Sequence, residues 1–487
     1  MTKDAEIDMK EVELREMDPE KQPMTSDGPP AGREKNGTVK VKVPDNEVTF
    51  TGLSKEELMK VAGTPGWVRT RWALLILFWL GWVGMLAGAI VIIVQAPRCK
   101  PIPEMNWWNE GPLYQISDSE AFADGLTGVE ARLDEINKLK VKGLVLGPLH
   151  TIQPDMPATL NLKEIDPTKG NEPALLAVLE KAHKKGISVV LDLTPNYLGN
   201  APWFSPSELD DVMEKVNDAA EYWLGLGVDG IKVSDFTSAT NSFDWSKFQA
   251  VVKGNLTEET KKRVLMGVVK NVSDVELFEL VNTTSVDLVL SDLLSRRNGG
   301  VQRIMDMNTL SSQQRSVAWG LGAANEDQLS KRATTPALIR LYQLLLFTMP
   351  GTPVFTYGDE IGLQAIGSES PKMVWDIEKE PVEGAAVNDT AEVQRKEYVA
   401  VRKWFRSLSE LRVKERSLLH GERYITAVNW GAAPETLAFK LEATEGLELP
   451  ETATVTLATD EALVVDSTVT LDKFVLAPGQ AVLLQFP

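Results

Sequence analysis

The sequence predicts an α/β protein: a single transmembrane helix, then a (β/α)8 TIM barrel, then a C-terminal antiparallel β domain. Three observations carry this prediction. Residues 72–94 form an apolar stretch of 23 residues without a charge. Within residues 111–417, eight short apolar runs alternate with amphipathic stretches, as strands and helices do in a parallel barrel. Within residues 418–487, alternating runs follow one another without helical stretches.

Residues 1–71 are predicted to be a cytoplasmic tail that is mostly disordered, because the first 50 residues are charged and nearly free of aromatic side chains. One short helix is expected near residues 54–62. Ser54 and Glu57 have the spacing of a capping box, and Gly63 and Pro65 follow as stop signals.

The apolar stretch 72–94 would span about 34 Å as a helix, slightly more than the roughly 30 Å hydrocarbon core. A long, mostly polar tail precedes it, which indicates a signal-anchor rather than a cleaved signal peptide. Trp67 and Trp72 on one side, and Trp107 and Trp108 on the other, are expected in the two aromatic belts.

Flanking charge predicts the orientation. Four basic residues precede the span and two follow it, in order Lys55, Lys60, Arg69, Arg71, Arg98 and Lys100. This excess favours a cytoplasmic N-terminus and an extracellular large domain, a type II single-pass topology. Glycosylation sequons lie beyond the span at Asn255, Asn271, Asn282 and Asn388. Asn36 also matches on the cytoplasmic side, so the motif alone does not decide the orientation.

Small residues within the span predict a helix-packing face. Gly84 and Gly88 have G-x-x-x-G spacing, with Gly81 one turn earlier, although glycine is common in membrane helices generally. Cys99 is the one cysteine and lies in the predicted extracellular neck, residues 95–110. It cannot form an internal disulfide, so we expect a covalent link to a membrane partner; a homodimer or an unpaired thiol is the alternative.

The net charge of −18 belongs to the large domain. The first 100 residues hold 14 basic and 14 acidic side chains, which leaves 37 basic and 55 acidic residues beyond them. An acidic domain of this size repels phosphate backbones, so nucleic-acid binding is excluded as a function class. The same charge favours solubility.

The eight strand candidates, in chain order, are GPLYQI, VKGLVLGPL, ISVVLDLTP, VDGIKV, RVLMGVV, VDLVLSD, SVAWGLG and TPVFTYGDEIGL. VEARLDEINKLK and ALLAVLEKAHKKG are examples of the helical stretches between them. The run LLLFTMPGTPVFTYGDEIGL resembles the last barrel strand of the α-amylase family of glycoside hydrolases. VVLDLTPNY and GVDGIKV are similar to its third and fourth strands.

The membrane-flanking run VRTRWALLILFWLGWVGMLAGAIVIIVQAPRC narrows the resemblance to the heavy chains of heteromeric amino-acid transporters. The runs LSKEELMKVAGTPGW, KVKGLVLGP and KERSLLHG support the match. The heavy chain of the cystine and dibasic amino-acid transporter has a long insert after the third strand, and the run NYLGNAPWF is too short for it, so this chain resembles the 4F2 type of heavy chain more. This resemblance implies a plasma-membrane glycoprotein without catalysis or cofactor, whose Cys99 is disulfide-linked to a multi-span light chain. It also implies association with integrins.

The resemblance further implies where catalytic groups would lie. At the position of the family's nucleophilic Asp this chain has Ser234, at that of the acid/base Glu it has Val268, and at that of a conserved His it has Tyr197. Asp235 is adjacent to the first position but should face away from the barrel mouth. We expect Asp192 and Asp359 to hold local hydrogen bonds. No metal site is predicted.

Three hypotheses follow. The first is a non-catalytic transporter subunit. The second is a membrane-anchored α-glucosidase. Hydrolysis of a maltose-type substrate would favour it if Asp235→Ala abolished that hydrolysis. The third is an adhesion or scaffold glycoprotein that acts without a transporter, which a Cys99 homodimer would favour.

Overall fold

The computed structural model describes residues 54–95, 105–151, 157–195, 207–234, 245–254, 262–269, 273–284, 286–291, 316–320, 328–331, 333, 335–364, 370–378, 389–415, 418, 424–439, 450–460 and 462–486. The chain forms two compact units, residues 1–101 and 102–487. Each unit is described by itself.

The first unit contains helices α1 (Lys55–Ala62) and α2 (Pro65–Gln95). The predicted capping box is confirmed: the Glu57 backbone N–H donates to the Ser54 hydroxyl, and the Ser54 backbone N–H donates to the Glu57 carboxylate. Helix α2 begins seven residues before the predicted span, because proline is tolerated in the first helical turn and the residues after it continue the helix. Within the described residues it is the one helix long and apolar enough to cross a membrane.

The second unit begins with a closed parallel barrel in which the strands are neighbours in chain order and β1 pairs with β8. All eight predicted runs supply a strand: β1 Leu113–Ile116, β2 Gly143–Leu146, β3 Ser188–Asp192, β4 Gly230–Val233, β5 Val264–Val269, β6 Leu288–Ser291, β7 Val317–Trp319 and β8 Thr352–Thr356. The predicted TIM barrel is therefore confirmed.

Helices follow the strands and supply the outer layer of the barrel. They are α3 Ser119–Ala123, α4 Leu126–Lys138, α5 Glu172–Lys184, α6 Leu209–Gly225, α7 Trp245–Lys253, α8 Asp274–Thr284, α9 Pro336–Thr348 and α10 Asp389–Lys414. Helix α5 shows why such segments are helical: Asn171 caps it through the Ala174 backbone N–H, and Leu175, Val178 and Leu179 form one buried face.

Alternate strand residues separate two hydrophobic layers. Residues such as Leu113, Val190 and Val354 point into the barrel and form one cluster, whereas their chain neighbours pack outward in the larger cluster that includes the helices. The strand residues of both layers are almost fully buried, so the barrel interior is a packed core. Buried polar side chains lie at both ends of the barrel, and those at its carboxyl end are described below.

The two tryptophans expected in the outer aromatic belt belong instead to the barrel, and that prediction is wrong. Trp108 is 3% exposed and packs in the interior cluster. The Trp107 indole donates to the Lys262 backbone oxygen at 2.8 Å. Burying these large rings in an apolar barrel stabilises them more than contact with an interface would. The last residues of the predicted neck 95–110 therefore pack against the barrel.

The C-terminal part is antiparallel, as predicted. A four-stranded sheet has the order β12-β11-β14-β9, and a two-stranded sheet pairs β10 with β13. The strands are β9 Tyr424–Val428, β10 Glu435–Leu437, β11 Thr452–Ala458, β12 Thr468–Thr470, β13 Phe474–Leu476 and β14 Ala481–Gln485. Their inner faces form a separate hydrophobic cluster around Val455, Phe474 and Leu484.

Candidate functional site

The carboxyl end of the barrel is where a TIM-barrel enzyme places its chemistry. Ser234 follows strand β4, is 2% exposed, and its backbone N–H donates to the Thr194 hydroxyl at 2.8 Å. Val268 lies on β5, is 1% exposed and belongs to the interior hydrophobic cluster. Both predicted positions therefore belong to the inward-facing set of residues. Tyr197 and Asp235 lie outside the described residues.

A buried ion pair connects strands β3 and β4 inside this end. Lys232 Nζ lies 2.9 Å from Asp192 Oδ2, the two side chains are 2% and 0% exposed, and Lys232 also donates to Gln115 Oε1 at 3.3 Å. The other Asp192 oxygen accepts the Thr194 backbone N–H and hydroxyl. Asp192 thus holds local hydrogen bonds, as expected. The pairing of Lys232 with Asp192 was not predicted from the sequence, although opposite charges at register partners on neighbouring strands are a usable signal.

His150 follows strand β2 and lies close enough to Asp192 for the carboxylate charge to affect its pKa. It is 4% exposed, and its Nδ1 has no hydrogen-bond partner in the described part of the chain. Burial lowers the pKa of His150 to about 4; Asp192 raises that pKa and Lys169 lowers it. The Lys169 ammonium donates to the Pro148 backbone oxygen at 2.6 Å and so holds the loop that follows β2. At neutral pH His150 is therefore an uncharged imidazole.

Asp359 and Glu360 follow strand β8 and are also buried. Asp359 accepts the backbone N–H groups of Leu329 at 2.7 Å and Thr356 at 2.9 Å, which agrees with the expected local hydrogen bonds. Burial raises the pKa of Asp359 to about 8 despite these donors. Glu360 accepts the Tyr114 hydroxyl at 2.8 Å, and burial raises its pKa as well.

These carboxyl groups are occupied by contacts within the protein. Retaining glycoside hydrolysis needs two carboxyl groups that face the scissile bond, one as nucleophile and one as acid/base. Here Asp192 is neutralised by Lys232, and Asp359 anchors two backbone amides. In the described ranges, no group of three or more His, Cys, Asp or Glu side chains is arranged to hold a metal ion. The arrangement suits structural support better than proton transfer.

The predicted packing glycines lie on α2. Gly81, Gly84 and Gly88 fall within a narrow arc of the helix at 100° per residue. A Cβ atom added at any of the three would meet no described atom within 4 Å beyond its chain neighbours and the backbone of the helix, and packing of a second helix on this face stays a prediction. Cys99 lies outside the described residues.

Of the four predicted glycosylation sites, Asn282 is described and is exposed on α8. The hydroxyl of Thr284, the third residue of this sequon, is buried and donates to the Leu280 oxygen at 2.6 Å. Asn255, Asn271 and Asn388 fall outside the described residues.

Both units are similar to known proteins. Residues 38–114 match the family model for the solute carrier family 3 member 2 N-terminus, and residues 114–223 match the α-amylase catalytic domain. The amino acid transporter heavy chain SLC3A2 of Oryctolagus cuniculus is 41% identical, with 100% of this chain and 99% of the relative covered. The Mus musculus protein of the same name is 42% identical over the same shares.

Solved structures support the fold. The α-amylase of Geobacillus thermoleovorans is 18% identical with a TM-score of 0.56, covering 78% of this chain and 99% of the enzyme. A debranching enzyme from Nostoc punctiforme is 19% identical with a TM-score of 0.55, covering 79% of this chain and 100% of the enzyme. At such identities the likeness concerns the fold alone. The similarity to SLC3A2 over the whole length shows that the chain belongs to the family of amino acid transporter heavy chains.

Proposed function

We propose that this protein is the non-catalytic heavy chain of a heteromeric amino-acid transporter, joined to a multi-span light chain through Cys99. The observation that carries the proposal is the 41–42% identity to amino acid transporter heavy chains over the entire chain. One apolar helix of 31 residues supports membrane anchoring. A single span without ionisable residues in its apolar stretch offers no transport path of its own, so a partner must move the substrate.

The light chain would be stabilised and brought to the plasma membrane by this subunit, with the N-terminus cytoplasmic and the barrel extracellular. The glycine face of α2 would pack in the bilayer and Cys99 would form the covalent link. Asn255, Asn271, Asn282 and Asn388 would carry glycans in this topology. Association with integrins is part of the same proposal and is tested by co-precipitation from surface-labelled cells.

The covalent pairing is tested on the protein from cell membranes, run on gels with and without reductant beside Cys99→Ser. We expect a larger band that collapses on reduction, is missing in the variant, and contains a many-helix protein by mass spectrometry. A larger band that contains only this chain would favour the homodimer and the scaffold function. A monomer under both conditions would exclude a covalent partner.

The absence of catalysis is a separate part of the proposal. Ser234 and Val268 occupy the inward positions where a nucleophile and an acid/base carboxyl group would be needed, and Asp192 is bound to Lys232. We expect no hydrolysis of maltose-type substrates above a heat-inactivated control. Turnover that Asp235→Ala removes would instead establish the membrane-anchored α-glucosidase.

A further inference from the structure

Helix α1 carries exposed apolar side chains that no described residue covers. Leu58 is 56% exposed, Met59 is 65% exposed and Val61 is 41% exposed. At 100° per residue these three and Ala62 share one side of the helix with Lys55, whose long side chain can extend to the headgroups, whereas Glu56 and Lys60 lie on the other. The capping box at Ser54 and Glu57 stabilises the first turn of this eight-residue helix.

The link between α1 and α2 is short and hydrogen-bonded on both sides. Only Gly63 and Thr64 separate the two helices. The Gly63 backbone N–H donates to the Met59 oxygen at 3.0 Å, and the Thr64 hydroxyl donates to the Val61 oxygen at 2.6 Å. The Val68 backbone N–H donates to the Thr64 oxygen at 3.1 Å. Helix α1 therefore cannot move far from the beginning of α2.

The length of α2 fixes where that beginning lies in a bilayer. Its 31 residues extend about 46 Å, close to the roughly 40–45 Å thickness of a bilayer with its headgroups. The apolar stretch begins at Trp72, and the turns before it contain Arg69 and Arg71. When the apolar stretch occupies the hydrocarbon core, Pro65 reaches the headgroup layer, and α1 begins at that level.

We propose that α1 is an interfacial helix, which lies along the inner leaflet with Leu58, Met59 and Ala62 inserted at the boundary between headgroups and acyl chains. Lys55, Lys60, Arg69 and Arg71 give this end of the unit an excess of positive charge over Glu56 and Glu57, which suits anionic headgroups. The inference rests on the proposed membrane anchoring. It adds a second, lipid-specific membrane contact that is separate from the span.

The test places one fluorescent thiol label at a time on the full-length chain. Since Cys99 is the one native cysteine, Cys99→Ser provides the background for Leu58→Cys on the apolar side, Glu56→Cys on the opposite side, and Met85→Cys within the span. Each protein is placed in nanodiscs of phosphatidylcholine with one-third phosphatidylserine, whose two faces are both open to solvent. Quenching by nitroxide on the upper acyl chain is compared with quenching by aqueous iodide.

We expect acyl-chain quenching and iodide protection at position 58, and the reverse at position 56. Omitting phosphatidylserine should weaken the acyl-chain quenching at position 58 while that at position 85 stays unchanged. Equal iodide quenching at positions 56 and 58, with position 85 still buried, would overturn the interfacial helix but leave the anchoring intact.

Two other outcomes separate the remaining explanations. Iodide access at position 85 would show that the span is not in the bilayer, which contradicts the proposed anchoring itself. Protection of position 58 only when a light chain is co-reconstituted would assign the apolar face to a protein partner and overturn the lipid contact.

Discussion

At the scale of single residues, Lys232 determines what the carboxyl end of the barrel can do. Its ammonium lies 2.9 Å from Asp192 and both side chains are almost fully buried, so the carboxylate is neutralised within the protein. Replacing one partner of such a pair leaves the other charged and buried, which is far more costly than losing an exposed pair.

Lys232→Met should therefore destabilise the fold by about 3–5 kcal/mol, measured by urea unfolding of the full chain in detergent. Lys184→Met is the control, because Lys184 pairs with Glu180 on the surface with both side chains 70% exposed, and no measurable loss is expected. Adding Asp192→Leu to Lys232→Met should recover part of the loss. Similar losses for both lysine variants would contradict the role of the buried pair.

The buried carboxyl group of Asp359 predicts a pH dependence of stability. Its pKa is raised from the usual 3.8 to about 8 in the folded protein, so the folded state keeps a proton that the unfolded state releases. The resulting stability is fully present below pH 4 and is lost as the pH rises toward 8, with a slope of at most about 1.4 kcal/mol per pH unit.

The unfolding free energy of Asp359→Asn, measured between pH 5 and pH 8, should therefore fall less steeply with pH than that of the unsubstituted chain. Its absolute stability should be lower, since an amide cannot accept both the Leu329 and the Thr356 N–H groups. His150 acts in the other direction below pH 6.5, where the unfolded state binds the extra proton, and because both proteins contain His150 its effect cancels from the comparison. Parallel pH profiles would rule out the raised pKa.

At the scale of elements, Arg412 joins α10 to the turn between α9 and β8. The side chain is 1% exposed, and its guanidinium donates to the backbone oxygens of Phe347, Met349 and Gly351. The first two oxygens lie at the end of α9, where carbonyl groups lack partners within the helix. Gly351 has a φ of +98°, and a Cβ there would lie 2.7 Å from the Val317 oxygen.

Arg412→Met should destabilise the fold by about 3–5 kcal/mol, because three buried carbonyl groups lose their donor together. Arg412→Lys should be nearly as unstable as Arg412→Met, because an ammonium group cannot reproduce the arrangement of N–H donors of the planar guanidinium. Lys403→Met, on the exposed side of the same helix, is the matched control and should behave like the unsubstituted chain. Thermal unfolding of all three variants measures this, and full recovery with lysine would show that charge alone matters.

At the scale of the whole molecule, periodicity was enough to predict the membrane helix, the eight barrel strands and the antiparallel end, because each depends on local patterns of apolar residues. Periodicity does not show which residues meet across strands and loops. It therefore could not predict the pairing of Asp192 with Lys232 or the burial of His150. The prediction that Trp107 and Trp108 lie in an aromatic belt was wrong for the same reason. An aromatic pair near a span resembles an interface anchor until the interior cluster formed by residues from all parts of the barrel, such as Val145, Val264 and Val354, is known.

The position of these tryptophans also decides where the barrel domain begins. A domain boundary at residue 111, as the sequence suggests, would remove Trp108 from the interior cluster together with Asn109, whose amide donates to the Thr352 hydroxyl at 3.1 Å. A fragment of residues 111–487 should therefore be less stable than one of residues 102–487. Truncating a buried Trp to Ala typically costs about 3–5 kcal/mol, so the shorter fragment should lose at least that much.

Denaturant unfolding of the two secreted fragments measures the difference. Trp108→Ala in the longer fragment should reproduce most of it, because the indole is buried in the interior cluster, whereas Trp430→Ala, at a site 37% exposed, should have a small effect. Equal unfolding midpoints for the two fragments would mean that the barrel folds as stably without Trp107 and Trp108 as with them. Since a closed barrel leaves an unfilled end without these rings, we expect the boundary to lie before Trp107 and the residues of the predicted neck to be part of the fold.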